Sequence, residues 1–485
     1  MPSNRRVRVR TDDDAVVATL RAGVTRIQAE LDVRPEFSPE VQAAAEHAAA
    51  NPRLPDLDRT DLPMVTIDPE SSRDLDQAVH VARDTERPGG YVVHYAIADL
   101  AAFITPGDPI DLEAHRRGET LYGADSKIPL HPPVISEDAG SLLPDQVRPA
   151  LLWTVRVDEE GEGTDIHVER ALVRSRAKLS YEGAQQMIDD GTADEMLLLM
   201  KEVGEKRLHR DASRGGVSLP LPEQVIDASD GHWKLEFRSL LPIELWNSQI
   251  SLLTGFGAAS LMVYARVGLL RTLPPPDPRD VQRLHRIARA LGVEWPAEQV
   301  YPDFVRSLDP SRSDHAAVIV ASARLLRGSG YVAFDGEVPA EPQHAALASE
   351  YAHVTAPLRR LGDRYAGEVC LALCSGDPVP DWVLAALPAL PKELQSSAQR
   401  ARTYERAVVD LAEAALLVDR VGEEFAAVVV SVDEKEPTRG TAMVRDLGVE
   451  APLTGAGELP LGHDVRVRLA SADVATRRVE LELLP

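Results

Sequence analysis

The stretch TIDPESSRDLDQAV, residues 66–79, places three aspartates beside two apolar segments. The first segment, MVTID, predicts a strand that ends at Asp68, and DLDQAVHV predicts a second strand after a polar turn. Period-two alternation then puts Asp74 and Asp76 on one face and Leu75 on the other. Carboxylates this close repel one another unless a cation or a proton lies between them. The stretch therefore predicts two buried strands joined through an acidic cluster.

This acidic cluster suits a divalent cation. Hard ions such as Mg²⁺ prefer carboxylate oxygens and keep several waters, which leaves positions for substrate phosphates. Two such ions about 3.5–4 Å apart can activate a water and stabilise the leaving oxygen in phosphodiester hydrolysis. The alternative is a solvated loop, because a chain with 77 Asp and Glu residues produces some acidic triplets by chance. The apolar segments on both sides favour the metal site.

The overall composition limits the class of protein. The 485 residues suit two to four domains, and a hydrophobic content of 44% is enough for a sizeable core. A net charge of −24 argues against a generally basic nucleic-acid-binding surface, although it allows a buried basic channel. Cys370 and Cys374 are four residues apart on a predicted helix, which favours core positions over a disulfide or a metal pair. With no apolar leader and no run of about 18 apolar residues, we expect a cytoplasmic protein that spans no membrane.

The pattern of elements divides the chain into three parts. Residues 1–60 favour short helices behind the basic stretch RRVRVR, which fits either a helix-turn-helix or a small bundle that only packs on its neighbour; Gly23 is expected to interrupt the first helix. Residues 61–420 favour strands up to about residue 175 and helices afterwards. Residues 421–485 favour five short strands, which is typical of an OB-type barrel. The prediction is an α+β multidomain protein with a central mixed α/β domain.

A second motif, YAHVTAPLRRLGDRYAG at residues 351–367, carries adjacent arginines. Thr355 is expected to cap a helix with a proline in its first turn, which places Arg359 and Arg360 in the opening turns. Free backbone N–H groups and the helix dipole favour anions there, so an arginine fork suits a phosphate. The alternative is that either arginine only pairs with Asp363 one turn later.

The segment SSAQRARTYERAVVDL, residues 396–411, mixes basic residues with an aromatic ring. Arg400, Arg402 and Arg406 surround Tyr404 and Glu405. Such a pattern can line a channel for a single strand of nucleic acid. A solvated helix face explains the same pattern nearly as well.

Together these motifs resemble the ribonuclease II / ribonuclease R family, whose catalytic unit is the RNB domain. The resemblance covers about residues 61–420, with the segment at 421–485 matching the family's C-terminal RNA-binding barrel. It rests on the acidic stretch, on YAHVTAPLRRLGDR, and on HYAIADLAAFITPGDPIDLEAHRRGETLYGADSKIPLHPPVISEDAGSLLPDQVRP (94–149) between them. The resemblance implies a processive 3′→5′ exoribonuclease that acts as a monomer. It would degrade single-stranded RNA from 3′ ends to nucleoside monophosphates with Mg²⁺, for which Mn²⁺ can substitute.

The resemblance also implies a role for each matching residue. Asp68, Asp74 and Asp76 would hold the metal ions. Tyr122 would stack on the base at the 3′ end, and Arg359 would meet the scissile phosphate as negative charge builds on it, so Asp74, Asp76, Tyr122 and Arg359 form the expected catalytic set. The residues expected to contact RNA are Tyr122, Arg359, Arg360, Arg402 and Glu405.

Gln77 departs from the family pattern, because many relatives have a fourth aspartate there. Its amide oxygen can act as a metal ligand but brings no charge, so a second ion should bind more weakly and the Mg²⁺ or Mn²⁺ dependence should be steeper. This departure leaves open a catalytically inactive RNA-binding member of the same family. A metal phosphatase or sugar-nucleotide enzyme is a poorer alternative, since it leaves the C-terminal barrel and the arginine motif without a purpose.

Overall fold

The computed structural model describes residues 9–11, 14–123, 127–217, 219, 223–228, 234–238, 240–309, 312–444, 447 and 449–485. The strands are β1 (Val9–Thr11), β2 (Met64–Ile67), β3 (Gln77–Arg83), β4 (Tyr91–Ala98), β5 (Leu121–Tyr122), β6 (Lys127–Ile128), β7 (Val147–Val157), β8 (Gly163–Leu179), β9 (Glu223–Ala228), β10 (Lys234–Arg238), β11 (Val267–Thr272), β12 (Gly330–Asp335), β13 (Gln343–His344), β14 (Ser349–Glu350), β15 (Glu424–Val432), β16 (Arg439–Val444), β17 (Val449–Thr454), β18 (Asp464–Asp473) and β19 (Arg478–Leu483).

The helices are α1 (Asp14–Glu30), α2 (Pro39–Ala50), α3 (Pro109–Arg117), α4 (Tyr181–Asp189), α5 (Glu195–Arg214), α6 (Pro242–Ala265), α7 (Pro278–Ala290), α8 (Tyr301–Arg306), α9 (Ser313–Ser322), α10 (Leu361–Ser375), α11 (Asp381–Ala386) and α12 (Leu390–Leu417). Single helical turns lie at Leu100–Ala102, Ala323–Leu326 and Val418–Arg420, and a π-helix lies at Ile135–Ala139.

The predicted strands between residues 64 and 179 close into a barrel. Its order is β2-β3-β4-β7-β8, and β2 completes the ring by pairing in parallel with β8. Alternate residues of β4 enter different apolar clusters: Tyr95 and Ile97 pack with α5, α6 and α10, whereas Ala96 and Ala98 pack with Phe103. The barrel therefore has packed side chains on both of its surfaces, which explains why its strands read as nearly continuous apolar runs.

The C-terminal strands form the second barrel, as predicted. Its order is β15-β16-β17-β19-β18, with β15 closing onto β18. Buried and exposed residues alternate along β17 and β19, which is the pattern of strands with one face on a core. The barrel core continues into α12 through residues such as Val408, Leu411 and Phe425. The OB-type prediction for this part of the chain is confirmed.

The two N-terminal helices pack on different parts of the molecule. Helix α1 places Leu20, Val24 and Ile27 in the cluster that contains α12 and the C-terminal barrel, whereas Ala45 of α2 joins the cluster around Phe103. The described side chains of the two helices thus join different apolar clusters, which favours the packing alternative over an independent helix-turn-helix. Residues 5–8 of the basic RRVRVR stretch lie outside the described residues.

The predicted helix break at Gly23 is wrong, because α1 is continuous from Asp14 to Glu30. A Cβ at Gly23 would lie 2.5 Å from Cδ2 of Leu411, so the glycine serves close packing between α1 and α12. The core prediction for the cysteines is confirmed: both are free thiols on α10, Cys370 buried and Cys374 partly buried. In the part of the chain that the structure describes, no helix is long and apolar enough to cross a membrane.

Gly255 in α6 marks a close approach to the segment that leads into the arginine motif. A Cβ there would lie 2.2 Å from Cε2 of Tyr351 and 2.7 Å from the carbonyl oxygen of Ala352. The Ala352 N–H also donates to the Gly255 carbonyl over 3.2 Å. The lack of a side chain at Gly255 thus allows α6 to hold this segment against the barrel.

We expect Gly255→Ala to lower the free energy of unfolding by about 1–3 kcal/mol, because the added methyl group forces backbone atoms apart. Chemical denaturation measures the change. Gly330→Ala is the control: a Cβ there meets no atom within 4 Å, so its effect should stay within about 0.5 kcal/mol. Equal stability of the two variants would contradict the close approach.

Candidate active site

Asp68 and Asp76 lie at the same edge of the first barrel. Asp68 directly follows β2, and Asp76 directly precedes β3, which is the antiparallel neighbour of β2. Leu75, which stands between Asp74 and Asp76 in the sequence, is fully buried, and its N–H donates to Ser141 Oγ over 2.9 Å. Asp76 is buried and Asp74 is partly buried. Strand β3 begins only at Gln77, so these two aspartates precede the strand in which the alternation had placed them.

The Asp76 carboxylate is the most buried of the three, with 4% of the residue exposed. Its Oδ1 accepts a hydrogen bond from the Leu358 N–H at 2.8 Å, and its Oδ2 lies 3.2 Å from Arg359 Nε in an ion pair. Burial raises the pKa of Asp76 to about 7, although Arg359 and the Leu358 N–H both act to lower it. The effect of burial on the pKa of Asp76 is therefore larger than the opposing effect of its two partners.

The pKa of Asp68 is raised for similar reasons. Burial raises its pKa to about 6, the Arg359 guanidinium opposes that shift, and the nearby Asp74 carboxylate adds to it. Asp74 also contributes to the raised pKa of Asp76, so the Asp74 carboxylate interacts with both of the other two aspartates. An additional cation at this edge would stabilise the ionised forms of Asp68 and Asp76.

Asp74 has a cation of its own that the sequence reasoning missed. Lys127 Nζ lies 2.6 Å from Asp74 Oδ1 and 2.9 Å from Glu137 Oε1. Lys127 stands in β6, and Glu137 belongs to the π-helix. The sequence contains no local signal for this pairing, because Lys127 is far from Asp74 along the chain.

Gln77 links the barrel to the arginine motif. Its amide Nε2 donates to the Thr355 carbonyl over 2.5 Å, and its Oε1 accepts a hydrogen bond from Tyr95 at 2.6 Å. The Tyr95 hydroxyl is also 2.6 Å from Ser251 Oγ in α6. Gln77 thus has a bridging role in the structure, and a role as a metal ligand stays a prediction.

The helix predicted to start at Thr355 is wrong, because α10 begins at Leu361. Residues 356–360 form a turn in which the Arg359 and Arg360 N–H groups both donate to the Ala356 carbonyl. Asp363 holds this turn by accepting the Ala356 N–H at 2.7 Å.

The two arginines have different partners. Arg360 donates to both carboxylate oxygens of Asp363, with its closest contact at 2.7 Å, which is the structural alternative stated for either arginine. Arg359 instead reaches Asp76, and 34% of its side chain stays exposed. Burial lowers the pKa of Arg359, but Tyr122 and Asp76 outweigh it and raise the pKa overall. Arg359 is thus a permanent cation that a ligand can reach.

Backbone pairing brings Tyr122 to the same place. The Thr120 N–H donates to the Arg359 carbonyl at 3.0 Å, and the Leu361 N–H donates to the Gly118 carbonyl at 3.0 Å. This ladder aligns the segment before β5 with the arginine turn. The Tyr122 side chain then forms a hydrogen bond with the Arg359 guanidinium. The structure thus joins Tyr122, Arg359 and Asp76 in one contact chain.

Arg402 and Glu405 lie on α12. Arg402 is exposed, donates to Gln399 Oε1 at 3.0 Å, and lines a cavity of about 920 Å³ with residues of α7 and β15. Burial raises the pKa of Glu119, which Arg360, Arg271 and Arg402 act to lower. Arg402 and Arg360 of the arginine turn thus both act electrostatically on the same carboxyl, that of Glu119. Glu405 is partly buried on α12.

Protein cations partly neutralise the acidic cluster, which is therefore not an open metal cage. Among the residues that the structure describes, no three His, Cys, Asp or Glu side chains are arranged to hold a metal ion. Lys127 and Arg359 each take one carboxylate oxygen of the cluster. The donor set still suits a hard divalent ion, because the oxygens are carboxylate and two of the three carboxyls are short of positive charge.

Comparison with known proteins defines the family. A model described as RNB domain matches residues 57–372, and one described as RNase II-type exonuclease C-terminal S1 domain matches residues 423–484. The chain belongs to the RNB family.

Individual relatives agree with this assignment. Ribonuclease R of Escherichia coli is 27% identical over 401 residues, which cover 78% of this chain and 48% of that protein. Ribonuclease R 1 of Lactococcus lactis is 23% identical over 506 residues, covering 95% of this chain and 61% of that protein. The chain thus spans about half to three fifths of the length of these curated relatives.

Solved structures share the RNB fold. Mycoplasma genitalium RNase R in complex with ribose methylated single-stranded RNA superposes with a TM-score of 0.84 at 18% identity, over 96% of this chain and 78% of that one. Yeast Ssd1, a pseudonuclease, superposes with a TM-score of 0.72 at 14% identity, over 96% of this chain and 58% of that one. The RNB fold therefore occurs both in a ribonuclease and in a pseudonuclease.

We expect metal-free protein to lose stability from Asp68 and Asp76 as the pH rises from about 4 to about 7. Their carboxyls have an ordinary pKa of 3.8, but in the folded protein Asp68 titrates at about 6 and Asp76 at about 7. The folded protein binds more protons than the unfolded chain in this window, so the free energy of unfolding falls with rising pH.

Asp68→Asn removes one of these carboxyls. The fall in the free energy of unfolding between about pH 4 and pH 7 should then be smaller by on the order of 1 kcal/mol. Chemical denaturation in EDTA between pH 4 and pH 8 measures it. The exposed Asp377 provides a control variant, Asp377→Asn, which should keep the wild-type slope. A stability difference between Asp68→Asn and wild type that is constant with pH would refute the interpretation.

Proposed function

We propose that the protein is a metal-dependent 3′→5′ exoribonuclease that hydrolyses single-stranded RNA to nucleoside monophosphates. The observation that carries this proposal is the contact chain from Tyr122 through Arg359 to the buried Asp76 carboxylate. It joins a base-stacking ring, a phosphate-binding cation and a metal-binding group at one edge of the barrel. Action as a monomer in the cytoplasm on RNA 3′ ends belongs to the same proposal.

Each side chain has a distinct task in this proposal. A divalent ion, Mg²⁺ or Mn²⁺, would be held by carboxylate oxygens of Asp68, Asp74 and Asp76 and would activate the attacking water. Arg359, a permanent cation with an exposed edge, contacts the scissile phosphate as its negative charge increases. Tyr122 stacks on the terminal base, which fits an enzyme that accepts all four bases. Its bond to Arg359 couples the position of the base to that of the phosphate.

A catalytically inactive RNA-binding member of the family is the second candidate. Two features favour the inactive protein. The Gln77 amide brings no charge and is hydrogen-bonded at both its nitrogen and its oxygen. The Lys127 ammonium reduces the negative charge that Asp74 offers to a metal ion. The pseudonuclease among the structural neighbours shows that this fold occurs without activity. The position of Asp68 and Asp76 at one barrel edge, with the partly exposed Arg359 on Asp76, favours the enzyme, since this arrangement joins acidic oxygens to a cation that a phosphate can reach.

The decisive experiment incubates full-length protein with single-stranded RNA labelled at its 3′ end, with Mg²⁺ or with EDTA. We expect mononucleotide release in Mg²⁺ only. Asp76→Asn should reduce the rate roughly 100-fold or more, because loss of a metal-binding charge removes several kcal/mol of transition-state stabilisation. Asp377→Asn should retain the wild-type rate.

Product analysis on a denaturing gel separates the candidates. Internal cuts, or equal release in EDTA, would exclude the proposed reaction. Tight RNA binding without any release in Mg²⁺ or Mn²⁺ would establish the inactive RNA-binding protein instead.

Gln77→Asp tests the role of the departure from the family pattern. The added charge should lower the Mg²⁺ concentration needed for half-maximal rate. The lost amide donor should also leave the Thr355 carbonyl without its partner and lower the free energy of unfolding by about 1–3 kcal/mol. Gln77→Asn, which has the size of the aspartate variant but adds no charge, is the matched control. An unchanged or higher Mg²⁺ requirement in Gln77→Asp would show that position 77 does not act on the metal.

A further inference from the structure

The Lys127 ammonium lies against the acidic cluster. Lys127 pairs across the β5–β6 ladder with Tyr122, and its ammonium lies 2.6 Å from Asp74 Oδ1. The exposed fraction of the side chain is 25% for Lys127 and 15% for Asp74. A pair this desolvated interacts more strongly than an ion pair in open solvent.

Glu137 fixes the lysine from the other side. Its Oε1 lies 2.9 Å from Lys127 Nζ, and 24% of its side chain is exposed. The burial of Lys127 lowers its pKa, but bonds and charges of Asp74 and Glu137 outweigh this and raise the pKa overall. The ammonium is therefore charged and is held between two carboxylates, neither of which is a neighbour in sequence.

The position of the ammonium then limits the number of divalent ions. Asp68, Asp74 and Asp76 supply three carboxylates, whereas Gln77 supplies an uncharged amide. Arg359 pairs with Asp76, and Lys127 pairs with Asp74 while sharing its charge with Glu137. A Mg²⁺ ion binds a carboxylate oxygen at about 2.0–2.1 Å. An ion on Asp74 Oδ1 would therefore share that oxygen with the ammonium, and the two cations would repel each other strongly.

We propose that the Lys127 ammonium takes the place of one divalent cation at Asp74, so that this site holds a single divalent ion instead of two. The inference rests on the proposed function for the identity of the site, but it concerns the number of ions and the residue that limits it. Lys127 is thus a positioning residue: it fixes Asp74 and supplies positive charge beside the bound ion. Glu137 keeps the ammonium in that position.

Binding of Mn²⁺ to metal-free, full-length protein tests this inference without RNA. Electron paramagnetic resonance of free Mn²⁺ gives the stoichiometry and the affinity. We expect one ion per wild-type chain, and a second ion or about tenfold tighter binding in Lys127→Met, because a competing charge has been removed. Lys392→Met, on an exposed position of α12, should bind as wild type does.

Glu137→Gln provides an independent variant with the opposite expected effect. Without Glu137 the ammonium is held by Asp74 alone, so Mn²⁺ binding should weaken by a few-fold. This variant keeps the side-chain shape and therefore tests the inference even where Lys127→Met fails to fold. Thermal melts of each variant verify that the proteins compared are folded.

The outcomes separate this inference from the proposed function. Two ions per wild-type chain, or unchanged binding in both Lys127→Met and Glu137→Gln, would overturn the inference even if RNA is degraded. One ion per chain with the expected opposite shifts would support it even if no RNA is degraded, in which case the proposed function alone fails. No Mn²⁺ binding by the wild-type protein would overturn both.

Discussion

The buried carboxylate of Asp76 is the constraint on which the rest of the site depends. A carboxylate with 4% exposure is costly unless it is hydrogen-bonded and paired, and both partners come from the same turn. Leu358 supplies the N–H and Arg359 the charge, so the turn must lie against the start of β3. Gln77 and Asp363 fix that turn from its two sides. The turn between Thr355 and α10 is consequently a part of the barrel edge rather than a free loop.

Local sequence patterns predicted the barrels well and the arginine turn poorly. The strands of both barrels show period-two or continuous apolar runs bounded by turn residues, and such signals are contained in each segment. The residues after Thr355 carry a good local helix-start pattern, but their backbone groups bond to Gln77, Asp363 and Thr120 instead. Tertiary hydrogen bonds from distant segments override capping propensity here, and no local pattern reports them.

The same reasoning explains which parts of the site could be predicted. Asp68, Asp74 and Asp76 share one short stretch, so their spacing alone indicated a cluster of charge. Lys127 contacts that cluster from more than 50 residues away and is held there by Glu137, and neither residue shows any distinctive spacing. Charge compensation of this kind follows from three-dimensional proximity, so a single sequence indicates the acidic residues but not the cations that pair with them.

The balance of charges also explains how the acidic edge can fold before any metal binds. Three neighbouring carboxylates without cations would oppose folding, and a site that depended wholly on metal would couple folding to metal supply. Arg359 and Lys127 remove much of that repulsion, while burial, with a smaller contribution from Asp74, still raises the pKa values of Asp68 and Asp76. The remaining deficit of positive charge is what a divalent ion would satisfy. The two basic side chains therefore stabilise the acidic edge and, in the single-ion site proposed above, would limit metal binding for the same electrostatic reason.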